Sequence, residues 1–324
     1  MPIVTSNSYK GTPFMLLNGH LETIIPSVFH RTPKVNYQRQ RLELKDGDFI
    51  DLDWLIKNNH DRLLIITHGL EGNSDRHYVR RTAKYFHDRG WDILAWNCRS
   101  CSGEINRLSK FYHHGDTNDL SDVILEALSD KYRKAVLFGY SMGGSLSIKY
   151  LGEGRILDSR IKGAVTYSVP LNLRDSSDQL NKRVNRFYAH RFLKKLIKKV
   201  RIKAKYYPGI LDIEGIDQIK TFDDFHHKYT LPLYGFPSID VFYEKATCDQ
   251  FLSSLSVPVF VGNALNDPLL GTKCYPKEEA KRNDLFYLQT PSKGGHVGFS
   301  YQSKGYSWME THGAYFIKEV LLIS

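Results

Sequence analysis

The chain has little that would tie it to a membrane, a metal or an oxidising compartment. No run of about 18 uncharged apolar residues occurs along its 324 residues, which excludes a membrane-spanning helix. The opening stretch MPIVTSNSYKGTPFMLLNGH lacks a basic segment followed by an apolar one, so no secretory signal is expected. Four cysteines are too few for a disulfide scaffold. Cys98 and Cys101 form a C-x-x-C, yet no second such pair or H-x-x-x-H completes a zinc site, and no metal is expected. A reducing cytoplasm is the expected setting. No internal repeat is visible, which excludes a solenoid. Acidic residues are missing from one segment, Lys182 to Lys205, which holds 11 Lys/Arg and no Asp/Glu. The rest of the chain carries 34 basic and 35 acidic residues, so the net charge of +10 resides in that segment. A charge so confined argues against a nucleic-acid-binding surface.

What the chain does contain is strands alternating with helices. Arg41–Lys45 and Ile50–Ile56 read as two antiparallel strands joined at Asp46-Gly47-Asp48. Apolar runs at 63–67, 91–96, 135–138, 162–169, 257–262 and 285–289 read as buried strands. Helical spacing falls at 78–88, 118–129, 142–151, 275–282 and 306–322, while residues 1–40 read as irregular. This alternation predicts an α/β fold with a mostly parallel, doubly wound sheet covered on both faces. Residues 172–240 break the pattern with a basic helix and Tyr- and Pro-containing loops. A structureless loop of that length is improbable, so the expected organisation is a core of residues 1–171 and 241–324 with a helical cap at 172–240.

The most informative stretch is KAVLFGYSMGGSLSIKYL, residues 134–151, in which Gly139-Tyr140-Ser141-Met142-Gly143 sits between a strand and a helix. A G-x-S-x-G in that context is a nucleophile elbow, whose tight turn strains the serine and demands small residues two positions either side. The plain alternative is a strand–turn–helix with serine as N-cap. A serine hydroxyl needs a base and an orienting acid. On this kind of sheet they follow in the order Ser, Asp or Glu, His. Asp267 and His296 occupy loops leaving the last two strands, in that order, and complete the candidate set with Ser141. For an oxyanion hole, one backbone N–H is expected from Met142 and another from Leu70, after His68-Gly69 in the loop leaving the 63–67 strand. His68 itself is expected to hold the loop by hydrogen bonds.

Within the cap, Phe192, Leu193, Leu196, Ile197 and Val200 form an apolar stripe, with Lys194, Lys195, Lys198 and Lys199 on the other side. Such a helix either rests weakly on anionic lipid or lays its stripe on the body with a basic face in solvent. The second is favoured, because one such helix binds membrane weakly.

The words Gly19-His20-Leu21-Glu22-Thr23-Ile24, His68-Gly69-Leu70-Glu71-Gly72, Asn97–Glu104, Gly139–Gly144, Asn266-Asp267-Pro268 and Gly295–Phe299 together resemble the YheT-like branch of the α/β-hydrolase superfamily. They span nearly the whole chain. The resemblance implies an α/β-hydrolase fold, a triad at Ser141, Asp267 and His296, an oxyanion loop at His68–Leu70, and carboxylic-ester hydrolysis without a cofactor. It leaves open acyl transfer to alcohols and thioester cleavage on the same residues, with a small-molecule acyl ester as substrate. Mammalian members carry a membrane anchor; a soluble, bacterial-type member is expected here. One departure is that Cys98 and Ser100 stand where the family more usually has an aromatic residue and a glycine. His20 and Glu22 are distinctive words with no evident chemical step, and a structural role is expected for them. A hydrolase-like protein that only binds is the competing class, and it has no need of three intact catalytic groups.

Overall fold

Leucine, isoleucine and valine in short runs build the centre of the computed structural model, which describes residues 9, 11, 18–29, 32–57, 60–299, 301–303 and 305–323. In chain order the strands of the main sheet are β1 (Gln38–Glu43), β2 (Phe49–Leu55), β3 (Arg62–Thr67), β4 (Asp92–Asn97), β5 (Lys134–Tyr140), β6 (Ile161–Tyr167), β7 (Val259–Gly262) and β8 (Phe286–Gln289). They lie side by side as β1-β2-β4-β3-β5-β6-β7-β8. β1 and β2 form an antiparallel hairpin, β2 runs antiparallel to β4, and every later pairing is parallel.

Side chains alternate between the two faces, as a period of two requires. Leu63 and Ile65 enter one apolar cluster with Leu120, Val123 and Leu146, while Leu64 and Ile66 enter the other with Val79, Phe86 and Phe316. The helices that supply those partners are α2 (His77–His87), α3 (Asn118–Ala127), α4 (Met142–Gly152) and, at the C-terminus, a helix over Trp308–Glu319. The winding direction reverses between β3 and β5. A crevice opens at the carboxyl ends of strands at such a switch point.

Two expectations are corrected at the ends of the chain. Residues 19–29 are not irregular but form α1 (Gly19–Phe29) despite an internal Pro26. Most of the stretch before it lies outside the described residues. The last helix begins at Trp308 and not at residue 306, because Ser307 and Glu310 close a capping box there.

Between β6 and β7 the chain is helical: α5 (Leu173–Asn181), α6 (Arg186–Ala204), α7 (Phe222–Phe225), a π-turn at His226–Thr230, α8 (Leu231–Tyr234) and α9 (Ile239–Ala246). The remaining helices are α10 (Lys277–Arg282) and the C-terminal one, α11. Leu193, Leu196 and Val200 of α6 pack on Phe222, Phe225 and Tyr229 in a core of their own. The basic side of α6 is divided, which corrects the expectation of a solvated face. Lys194 and Lys198 are exposed, but Lys199 turns inward to Glu71 Oε1 at 2.7 Å. Lys203, in line with Val200 on the apolar side, is buried too, its ammonium donating to Asn106 Oδ1 (2.5 Å), Lys110 O (3.0 Å) and Leu108 O. Among the described residues no helix is long and apolar enough to cross a membrane.

Candidate active site

Ser141 follows β5 directly and caps α4, with φ 52° and ψ −119°. A side chain rarely adopts that region, and only crowded neighbours hold it there. A Cβ at Gly139 would stand 2.6 Å from Gly143 O, and one at Gly143 would run into Thr67 O. The turn therefore needs glycine at both positions. The Ser141 N–H donates to Tyr167 O at 2.9 Å, which ties the strained residue to β6.

Asp267 leaves β7 and His296 leaves β8, and both meet Ser141 at the carboxyl end of the sheet. His296 Nε2 lies 3.0 Å from Ser141 Oγ, and His296 Nδ1 lies 2.8 Å from Asp267 Oδ2. Asp267 is buried, and its other oxygen accepts the Leu269 N–H at 2.9 Å. An ionised carboxylate only accepts, so Nδ1 carries the proton and Nε2 is left free to accept from the serine hydroxyl.

Met142 opens α4, so its N–H has no acceptor within the helix. Leu70 lies in the loop leaving β3. Gly69 beside it packs so closely on the serine turn that a Cβ there would come within 3.2 Å of Ser141 Cβ. His68 holds this loop: Nδ1–H donates to Gly69 O (2.7 Å) and Nε2 accepts the Cys98 N–H (3.1 Å). Burial pushes the His68 imidazole down to about 4, so it is neutral. Ser100 has φ 62°, and its Oγ accepts the Asn106 backbone N–H at 3.1 Å.

The sequence reading gave α1 no connection to these residues, yet α1 binds both loops that carry Asp267 and His296. The fully buried Glu22 accepts from Asn266 Nδ2 (2.8 Å) and from the Gly294 N–H (2.6 Å). Thr23 Oγ1 accepts the His296 N–H at 2.8 Å and donates to Gly19 O at 2.6 Å. Asn266 Oδ1 in turn accepts the Gly295 N–H at 3.0 Å. A Cβ on Gly19 would collide with Asn266 O, so glycine lets the helix press against the Asp267 loop. His20 takes a peripheral place, stacked on Tyr188 with Nδ1 3.3 Å from its hydroxyl. The GHLET and NDP words were the signal for this contact.

Two cavities meet at Ser141. One runs under the helices between β6 and β7 and is walled by Leu173, Leu180, Phe222 and Leu270. His114 and His226 also line it; burial first, then neighbouring histidines, push both down to about 3. The other opens toward α1. Among the described residues no cluster of three or more His, Cys, Asp or Glu could hold a metal ion.

This strand order and helical insertion, with a strained serine between β5 and α4, describe an α/β hydrolase, and a family model of the alpha/beta hydrolase fold matches residues 62–204. The chain is 33% identical over 293 residues to the candidate esterase YheT of Escherichia coli (strain K12), covering 87% of this chain and 84% of that one. It is 27% identical to the phospholipase ABHD3 of Homo sapiens, over 92% of this chain and 75% of that protein. Among solved structures, the esterase Pf2001 of Pyrococcus furiosus matches with a TM-score of 0.56 at 17% identity, covering 89% of this chain and 98% of that one, a likeness of fold alone. The chain belongs to the YheT-like family of α/β hydrolases, a hydrolase family with esterase- and lipase-type relatives.

Proposed function

We propose that the protein is a serine carboxylesterase that cleaves acyl esters through an acyl-enzyme on Ser141. The observation that carries this reading is the unbroken chain of contacts from Ser141 Oγ to His296 (3.0 Å) and from His296 to Asp267 (2.8 Å). His296 Nε2 takes the serine proton as Oγ attacks the ester carbonyl, and Asp267 stabilises the imidazolium. The Met142 and Leu70 amides receive the oxyanion. The alcohol leaves with the proton from His296, and water then hydrolyses the acyl-enzyme by the same route. The insertion between β6 and β7 acts as a cap that supplies the acyl pocket, a reading supported by the apolar cavity beneath it. A cytoplasmic setting is supported by four free, buried cysteines.

The test is hydrolysis of p-nitrophenyl esters from acetyl to palmitoyl by wild type and Ser141→Ala. A peak at short or medium chain length in the wild type is expected, with kcat in the variant lower by about four orders of magnitude or more. Equal rates in the two proteins would overturn the assignment.

A further inference from the structure

An ester bound at Ser141 has two arms, and the two cavities offer them different surroundings. Both are lined by Leu70, Ser141, Phe192, Leu269 and His296, so the scissile bond sits where they join. Among the described residues, the cavity under the cap has no Lys, Arg, Asp or Glu in its lining. Among them, the α1-side cleft is lined by Arg76, Arg191 and Lys195 and by no carboxylate.

Among the described residues none of these three cations has a carboxylate within ion-pair distance. Arg76 Nη2 and Lys195 Nζ both donate to one neutral acceptor, Glu71 O, at 2.9 and 3.1 Å. The nearby Glu71 carboxylate is already engaged, by Lys199 at 2.7 Å and by the Tyr112 hydroxyl at 2.7 Å. Among the described residues no ion pair involves Arg76, Arg191 or Lys195. Burial lowers the Lys195 ammonium below its ordinary value, and the Arg76, Arg191 and Lys199 charges push the same way against Glu71. Like charges gathered in a half-enclosed cleft repel one another, and an anion placed among them removes that repulsion while gaining charge-assisted hydrogen bonds. Thr23 and Ser27 of α1 add hydroxyls to the same lining. Lys195 is thus set apart from Lys194 and Lys198, which α6 presents to solvent, while Arg191 lines the cleft and stays exposed.

We propose that the α1-side cleft binds an anionic group, a phosphate or a carboxylate, carried on the alcohol portion of the ester, while the acyl chain fills the apolar cavity beneath the cap. This rests on the hydrolase reading above and specifies its substrate as an acyl ester of an anionic alcohol. Nothing in the bond-making steps changes: the serine oxygen takes the acyl group, and the anionic alcohol departs with the proton from His296.

The experiment compares three octanoyl esters kept monomeric in solution, those of glycerol, glycerol 3-phosphate and glycerate, with wild type, Arg191→Ala, Lys195→Ala and the double variant. The wild type is expected to favour at least one anionic ester over the glycerol ester by about tenfold or more in kcat/KM, and that ratio falls toward one in the variants. Which anionic ester leads identifies phosphate or carboxylate as the group read. A wild-type ratio near one, or a ratio unmoved in the double variant, overturns the proposal. So does a preference that emerges only when the esters are presented in anionic vesicles, since the charge would then be reading a surface. Fluorophosphonate labelling, run in parallel, separates the two levels. If Ser141 labels and no ester is cleaved, the substrate class is wrong; if Ser141 does not label in folded protein, the hydrolase reading itself fails.

Discussion

A serine at φ 52° with glycine two positions to either side is a strained residue held by close contacts, and the placing of His296 beside it depends on residues far from it in sequence. Glu22 and Thr23 touch no reacting atom; they set where His296 and the Asp267 loop stand. Asn266 Nδ2 and the Gly294 N–H share one oxygen, Glu22 Oε2, so exchange for Gln keeps the shape but replaces a carboxylate oxygen by an amide oxygen, a weaker acceptor for both donors. We expect Glu22→Gln to lower kcat by about tenfold to a hundredfold with KM little changed, because small displacements of a catalytic group carry penalties of that order. Steady-state kinetics beside a thermal melt check this, and a fall in Tm with kcat intact would show that Glu22 only stabilises the fold. The meeting of Ser141, Asp267 and His296 was legible in the sequence because a local motif and a fixed chain order mark them. The partners of Glu22 were not, because a carboxylate gives no sign of which distant amides it will meet.

At the level of elements, α6 joins the cap to the loop that supplies Leu70. Lys199 Nζ and the Glu71 carboxylate form an ion pair of 2.7 Å between side chains 15% and 2% exposed. Removing one partner strands the other charge in a buried place. Lys199→Met should therefore destabilise the protein by about 3 kcal/mol, and Lys199→Met with Glu71→Gln should recover much of that loss. Urea denaturation of the single and double variants measures both, and additive effects would show that the pair is not coupled. The apolar stripe of α6 was readable from its spacing, and so were the strands, whose runs are buried on both faces. The inward lysines were not, since a helical pattern separates apolar from charged residues but does not reveal a carboxylate or carbonyl waiting within the core. In the same way α1 escaped notice because Gly19 and Pro26 are poor helix formers, and its stability comes from packing against loops of the last third of the chain.

Across the whole molecule, burial lowers a set of histidines: His68, His113 and His312 to about 4, and His114 and His226 to about 3. In the unfolded chain each would titrate near 6.5. Below that pH the unfolded state takes up protons that the native protein refuses, so stability, complete above about pH 6.5, falls as pH drops toward about 4. Each such group contributes a slope of about 1.4 kcal/mol per pH unit. A series of melts from about pH 7 to about pH 4.5 should show Tm decreasing steadily, and a flat series would contradict this assignment of neutral, buried rings.

The bonds from α1 span 244 residues to Asn266 and 272 to Gly294, so the two ends of the chain must meet before the reactive group is complete. Contacts of such separation form late in folding, after the local strand and helix pairings. On refolding, secondary structure and tryptophan burial should return first, and fluorophosphonate labelling of Ser141 should lag behind them. The same order holds during synthesis on the ribosome. The serine turn emerges and packs before the His296 loop exists, and under the proposed mechanism the nascent hydrolase stays chemically silent until the loop after β8 has docked against α1.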